Sequence, residues 1–157
     1  MPERAFHSLG ELLTKALLSG DFALYQSILT LPVRFTPMAG KPYVLQDLAA
    51  LRADFELYVS IIRLHGVTDI YRQVVSCEPV GDGRIWVRLV THLLVRANLL
   101  AEPFPTRMLL QRDEAGWRIA EIETSEGHLH WTMGRAQVSA GGRFELDACA
   151  DQNERRE

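Results

Sequence analysis

Glu121 and Glu123 stand two residues apart in the stretch Trp117 to Thr124, so a strand there points both carboxylates at the same face. If that face lines a pocket, Glu121 is the candidate general base; if it meets solvent or a second subunit, both carboxylates pair with Arg. Tyr58 and Tyr71 are the aromatic hydroxyls best spaced to hold a ligand carbonyl across a pocket, with Gln73 and Thr91 as further polar handles. The plainer reading makes both tyrosines core aromatics with satisfied hydroxyls. His92, in the middle of an apolar run, is either an acid–base group near neutral pH or a structural or interface histidine. His128-Leu129-His130 could set two imidazoles on one metal if extended. No Cys or carboxylate cluster completes that set, so neither a metal nor a cofactor is expected. A Gly-rich phosphate cradle, a nucleophile elbow and a zinc motif are all missing.

The elements that must position these residues follow from periodicity. Phe6, Leu9, Leu13, Ala16 and Leu17 recur at helical spacing and Gly20 ends the run. Asp21 reads as the N-cap of a second short helix carrying Phe22, Tyr25, Ile28 and Leu29. Val33 to Thr36 and Tyr43 to Leu45 form a short hairpin, and the flanking prolines favour an edge position. Asp47 caps the longest helix, where Leu48, Leu51, Phe55, Tyr58, Val59 and Ile62 repeat until His65-Gly66. Four strands follow in two hairpins: Asp69 to Glu78 with Arg84 to Ala97, and Phe104 to Arg112 with Trp117 to Thr124. Asn98 to Pro105 connects the two hairpins, and Arg143 to Leu146 is a possible last strand.

The loop Gly81-Asp82-Gly83 permits two registers. A three-residue loop, with Gly83 left-handed, pairs Val80 with Arg84 and separates apolar from charged residues better than its rival. That register sets Val87 opposite Cys77, Leu89 opposite Val75 and Leu93 opposite Tyr71. Tyr71, Gln73, Val75, Cys77, Ile85, Val87, Leu89, Thr91 and Leu93 then meet the long helix. Arg72, Glu78, Trp86, Arg88 and His92 take the other face, and Trp86, Arg88 and His92 are expected to contact a second subunit.

Three stretches together resemble the nuclear transport factor 2-like superfamily, which includes the SnoaL-like polyketide cyclases and the ketosteroid isomerases. They are Ala16 to Phe22, Asp47-Leu48, and Gly116-Trp117-Arg118-Ile119 with Ser125 at the end of the same strand. The resemblance implies an α+β fold: a cone-shaped, curved antiparallel sheet wrapped on a long helix, with an N-terminal helical hairpin and an interior pocket. It also implies a homodimer through the sheet. Residues 1–125 form this domain and residues 126–157 a C-terminal extension. Where many SnoaL-like members carry His, this chain carries Glu121 and Glu123. Its Tyr and Asp residues do not map plainly onto the isomerase set of carboxylate base, Tyr and protonated acid.

Bulk properties set the outer limits. With 157 residues and 47% apolar content, the chain supports one substantial core. A formal charge of −3 and a pI near 6.0 give no reason to expect nucleic acid or an anionic membrane as partner. Two of the seventeen basic residues are Lys and the rest Arg. Two cysteines make no disulfide framework, and no apolar run approaches a membrane span, so a cytoplasmic location is expected. The functional expectation is a small-molecule-binding domain, with isomerase, cyclase or dehydratase chemistry on an apolar carbonyl compound as one outcome. The alternative is a non-catalytic dimerisation or accessory module.

Overall fold

The computed structural model describes residues 2–37, 41–100, 102–124, 136–138 and 144–146. Three helices, α1 (Pro2–Ser19), α2 (Phe22–Ile28) and α3 (Leu48–His65), lie against a curved mixed sheet of seven strands. Those strands are β1 (Leu29–Pro37), β2 (Tyr43–Leu45), β3 (Asp69–Pro79), β4 (Arg84–Val95), β5 (Asn98–Leu99), β6 (Phe104–Asp113) and β7 (Gly116–Thr124). They run in the order β2-β1-β7-β6-β4-β3, with β5 folded back on β4. A separate two-stranded sheet pairs β8 (Ala136–Val138) with β9 (Phe144–Leu146), in the place of the possible last strand. No helix among the described residues is long and apolar enough to cross a membrane.

The helix boundaries follow the caps. Asp21 Oδ1 accepts the Leu24 N–H at 3.1 Å and Asp47 Oδ1 accepts the Ala50 N–H at 2.8 Å, each meeting an amide left over by its helix. Gly66 closes α3 at φ 69°, where its N–H returns to the last-turn carbonyls. α1 proves as long as α3, at 18 residues each, so the opening hairpin is not a pair of small helices. Its apolar stripe, from Phe6 to Leu17, is buried as its spacing requires. α2 ends at Ile28, and Leu29 already belongs to β1.

One junction departs from an all-antiparallel sheet. β1 runs parallel to β7, with Arg34 beside Glu121 and Phe35 beside Ile122. The pairing breaks between Leu29 and Arg34, around Pro32, which has no N–H to give. β2 pairs with β1 at the edge, the place its flanking prolines favour.

The β3–β4 hairpin keeps the three-residue loop. Val80 N–H reaches Arg84 O at 2.9 Å, and Val87 faces Cys77. At Val75 a bulge intervenes: Val74 pairs with Leu89 and Ser76 with Arg88. Beyond it the faces of β3 exchange relative to the expectation. Leu93 faces Ile70 instead of Tyr71, and His92 faces Tyr71. Tyr71 and Val75, expected against the helix, are 53% and 63% exposed. Ile70, Arg72 and Val74 take the helix-facing side. A second bulge, at Ala120 in β7, leaves Ile119 and Ile122 inside and Glu121 and Glu123 outside.

β4 also ends earlier than its apolar run suggests. Arg96 and Ala97 both sit at positive φ, 50° and 69°, in a tight turn that carries β5 back along β4. Neither is Gly, so the conformation costs energy that neighbours must offset. Thr68 Oγ1 accepts the Arg96 N–H at 2.8 Å, and Asn98 Nδ2 donates to Arg96 O at 3.3 Å.

The cap at Gly66 gives a direct test. A side chain in its left-handed conformation costs about 1–2 kcal/mol, and an added Cβ there meets nothing within 4 Å. Gly66→Ala is therefore expected to lose about 1 kcal/mol in urea unfolding. A neutral result would show that α3 ends differently.

Candidate functional site

The apolar stripe of α3 contains a carboxylate. Asp54 lies three residues after Leu51 and four before Tyr58, so helical geometry places it among the core residues, and it is 0% exposed. A wholly buried Asp is uncommon and needs partners. Three tyrosines from three elements gather around it, one of them bonded to it directly. Tyr25 of α2 hydrogen-bonds its hydroxyl to the Asp54 carboxylate. Tyr43 of β2 donates to the hydroxyl oxygen of Tyr58, one turn along α3 from Asp54. Phe55 packs on Tyr25 with ring centroids 4.7 Å apart, and Phe35 stacks on Tyr43 at 5.4 Å.

Burial dominates the electrostatics of this group. It drives the phenol pKa values of Tyr25, Tyr43 and Tyr58 well above the ordinary 10.0, and the Asp54 carboxylate pushes all three further the same way. The bond from Tyr43 opposes this at Tyr58, because an accepted hydrogen bond favours a phenolate. Tyr58 is also partly exposed, whereas Tyr25 and Tyr43 are buried. Chemically, the arrangement joins a carboxylate able to take a proton to a phenol, polarised by a second phenol, able to stabilise an oxyanion.

A second polar group occupies the opposite sheet edge. Arg72 of β3 donates from Nη1 to Gly10 O at 3.1 Å and to Thr14 Oγ1 at 2.6 Å, tying α1 to the sheet. Burial lowers its pKa from the ordinary guanidinium range to about 10, and Asp69 pulls the other way, so it stays cationic at neutral pH. Beside it, the buried hydroxyls of Thr91 and Thr106 lie 3.0 Å apart. Among the described residues no three His, Cys, Asp or Glu side chains converge as metal ligands. His128 and His130 lie outside the described residues.

No family model matches the chain, and no curated protein matches it. Solved structures do. A cystatin-like domain of unknown function from Nostoc punctiforme superposes with TM-score 0.59 at 11% identity, covering 80% of this chain and 76% of that one. A protein from Novosphingobium aromaticivorans, described as NTF2-like with a cystatin-like fold, gives 0.56 at 15% identity, over 78% and 79% of the two chains. A ketosteroid isomerase candidate from Shewanella frigidimarina gives 0.55 at 12% identity, over 75% and 92%. The fold is NTF2-like.

Within this NTF2-like frame the residues singled out from sequence separate. Tyr58 joins the Asp54 group and Thr91 lies on the helix-facing side. Tyr71 and Gln73 do not: the Val75 bulge turns both to the outer face, away from α3. Glu121 also faces outward, opposite Leu109, with its carboxylate 3.8 Å from Arg34. Glu123 pairs likewise with Arg107 at 3.6 Å. Both pairs are partly solvated, so each contributes little to stability. Trp86, Arg88 and His92 share that outer face. Arg107 lies 3.8 Å over the Trp86 ring, Arg88 is exposed, and His92 meets the Tyr71 ring at 5.3 Å. Asp54 was missed because one acid beside an apolar stripe resembles the edge of a solvated face. Its i+3 and i+4 relation to Leu51 and Tyr58 was the available signal.

The tyrosine pKa values predict alkaline behaviour. Below pH 10 the folded and unfolded chains both keep these protons. Above the ordinary value of 10.0 only the unfolded chain releases them, so stability falls as pH rises. Each tyrosine contributes about 1.4 kcal/mol per pH unit to that loss. Unfolding followed from pH 9 to 11 should show it, and Tyr25→Phe should reduce the slope by about a third while costing about 1–3 kcal/mol at neutral pH. An unchanged slope would mean that Tyr25 is not held against Asp54.

Proposed function

We propose that this protein binds a small, largely apolar carbonyl compound in its helix-facing interior and catalyses proton transfer at the carbon next to the carbonyl. The observation carrying this reading is the wholly buried Asp54 set against Tyr25, Tyr43 and Tyr58. Asp54 accepts the proton, and Tyr58, polarised by Tyr43, donates to the oxygen on which charge develops. Isomerisation, cyclisation and dehydration of such compounds share this enolising step. The ketosteroid isomerase candidate among the structural neighbours agrees with the reading at the level of fold. Glu121 has no part in it, since it is directed to the opposite face.

The test is deuterium exchange at the α-carbon of 2-tetralone in D₂O, followed by proton NMR. Exchange above background is expected with the native protein. Asp54→Asn should lower the rate about 10²–10⁴-fold, as for loss of a positioned base. Tyr58→Phe should lower it at least about tenfold. Exchange no faster with the native protein than with Asp54→Asn would overturn the proposal.

A second proposal concerns the outer face. Tyr71, Val75, Trp86 and His92 present apolar and aromatic surface there, interleaved with Arg88 and with Arg107 lying over the Trp86 ring. We propose that two copies meet through it, covering the exposed Tyr71 and Val75 side chains and the aromatic surface beside them. Light scattering should give twice the chain mass, and Val75→Arg should return it to the monomer. A native protein that stays monomeric at high concentration would contradict this.

A further inference from the structure

The Val75 bulge places a cation on the helix-facing side of β3, and among the described residues nothing negative is bonded to it. Arg72 forms no ion pair among the described residues, and both of its hydrogen bonds there leave from Nη1 to neutral oxygens. Asp69 acts on it through charge alone. That carboxylate is exposed, and its Oδ1 accepts the N–H of Ile70. A guanidinium largely withdrawn from water without a bonded counter-ion is costly. Tying α1 to β3 explains one nitrogen of the five-donor fork and not the rest.

The neighbouring side chains extend the donor set. Thr91 is the cross-strand partner of Arg72, which brings their side chains together on one face. In the Thr91–Thr106 pair one hydroxyl proton is used in the mutual bond, and the other remains to be donated. Ile70, Leu89, Leu93 and Phe104 surround this group with buried apolar surface. A single guanidinium balances one negative charge, and its planar fork matches the two oxygens of a carboxylate. A phosphate dianion would leave a charge uncompensated.

We propose that Arg72, with the Thr91–Thr106 hydroxyl pair beside it, is the binding subsite for a carboxylate on an otherwise apolar small molecule. The assignment rests on the interior taking a small molecule, as proposed above, and adds that this molecule is an acid.

The experiment compares benzoate with benzamide, a neutral molecule of nearly the same shape, by calorimetric titration. The native protein should bind benzoate at least tenfold more tightly. In Arg72→Gln that preference should fall to about one. Should that variant not fold, Arg72→Lys keeps the charge but not the fork, and is expected to lose at least threefold of the preference. Thr91→Val should lose a few-fold. Equal binding of the two probes by the native protein overturns the carboxylate assignment and leaves the small-molecule reading standing. A preference untouched by Arg72→Gln or Arg72→Lys also overturns it. Binding of neither probe while 2-tetralone exchanges removes the subsite alone; failure of both experiments removes both proposals.

Discussion

The parallel pairing of β1 with β7 is the contact on which the rest of the architecture depends. Strands far apart in the chain meet there, and a parallel pair needs a long crossover between them. The crossover here consists of β2, α3, the β3–β4 hairpin, β5 and β6. Together with the packing of α1 on β3 and the Arg72 bonds to Gly10 and Thr14, this ladder fixes the helical N-terminal half to the strand-rich C-terminal half. Tyr25 precedes β1 and Tyr43 follows it, while Asp54 and Tyr58 come next on α3. β1 therefore sets where all four meet. Ile119 and Ile122 of β7, buried beneath, give that ladder its apolar floor.

The interior is otherwise apolar, and its two polar groups have opposite character. Near the β2 edge, a carboxylate is surrounded by phenols whose ionisation burial suppresses. Near the β3 edge, a guanidinium is bonded to neutral oxygens under α1. Such groups weaken a core unless their bonds are satisfied, and α1, α2 and α3 each contribute to holding them. The outer face follows ordinary surface rules, with Arg–Glu pairs across neighbouring strands and a guanidinium laid on Trp86.

Much of the frame was legible because it rests on local chemistry. Asp21 and Asp47 cap helices, Gly20 and Gly66 end them, and the three residues Gly81 to Gly83 turn a hairpin, each within a few residues of its cause. What the sequence hid depends on residues that break a rhythm without announcing it. Val74-Val75 is an apolar doublet that alternation absorbs on either side, so the bulge, and with it the facing of Tyr71, Gln73 and Arg72, could not be placed. Ala120 hides the second bulge in the same way. Arg96 and Ala97 carry no glycine to signal a turn. Asp54 was visible only as an acid amid Leu51, Phe55 and Tyr58, and its significance required Tyr25 and Tyr43 to be brought alongside from other elements.

The Val75 bulge has an evolutionary consequence. Because side chains alternate along a strand, one extra residue decides which set from the first half of β3 meets the interior. With the bulge, the interior receives Ile70, Arg72 and Val74; in an unbroken register of the same length it would receive Tyr71 and Gln73. A lineage could thus exchange a cationic lining for an aromatic and amide one by closing or opening a bulge, with every residue from Ile70 to Val74 unchanged. Comparing such proteins position by position would then record conserved letters on β3 while the surface offered to a ligand had been replaced.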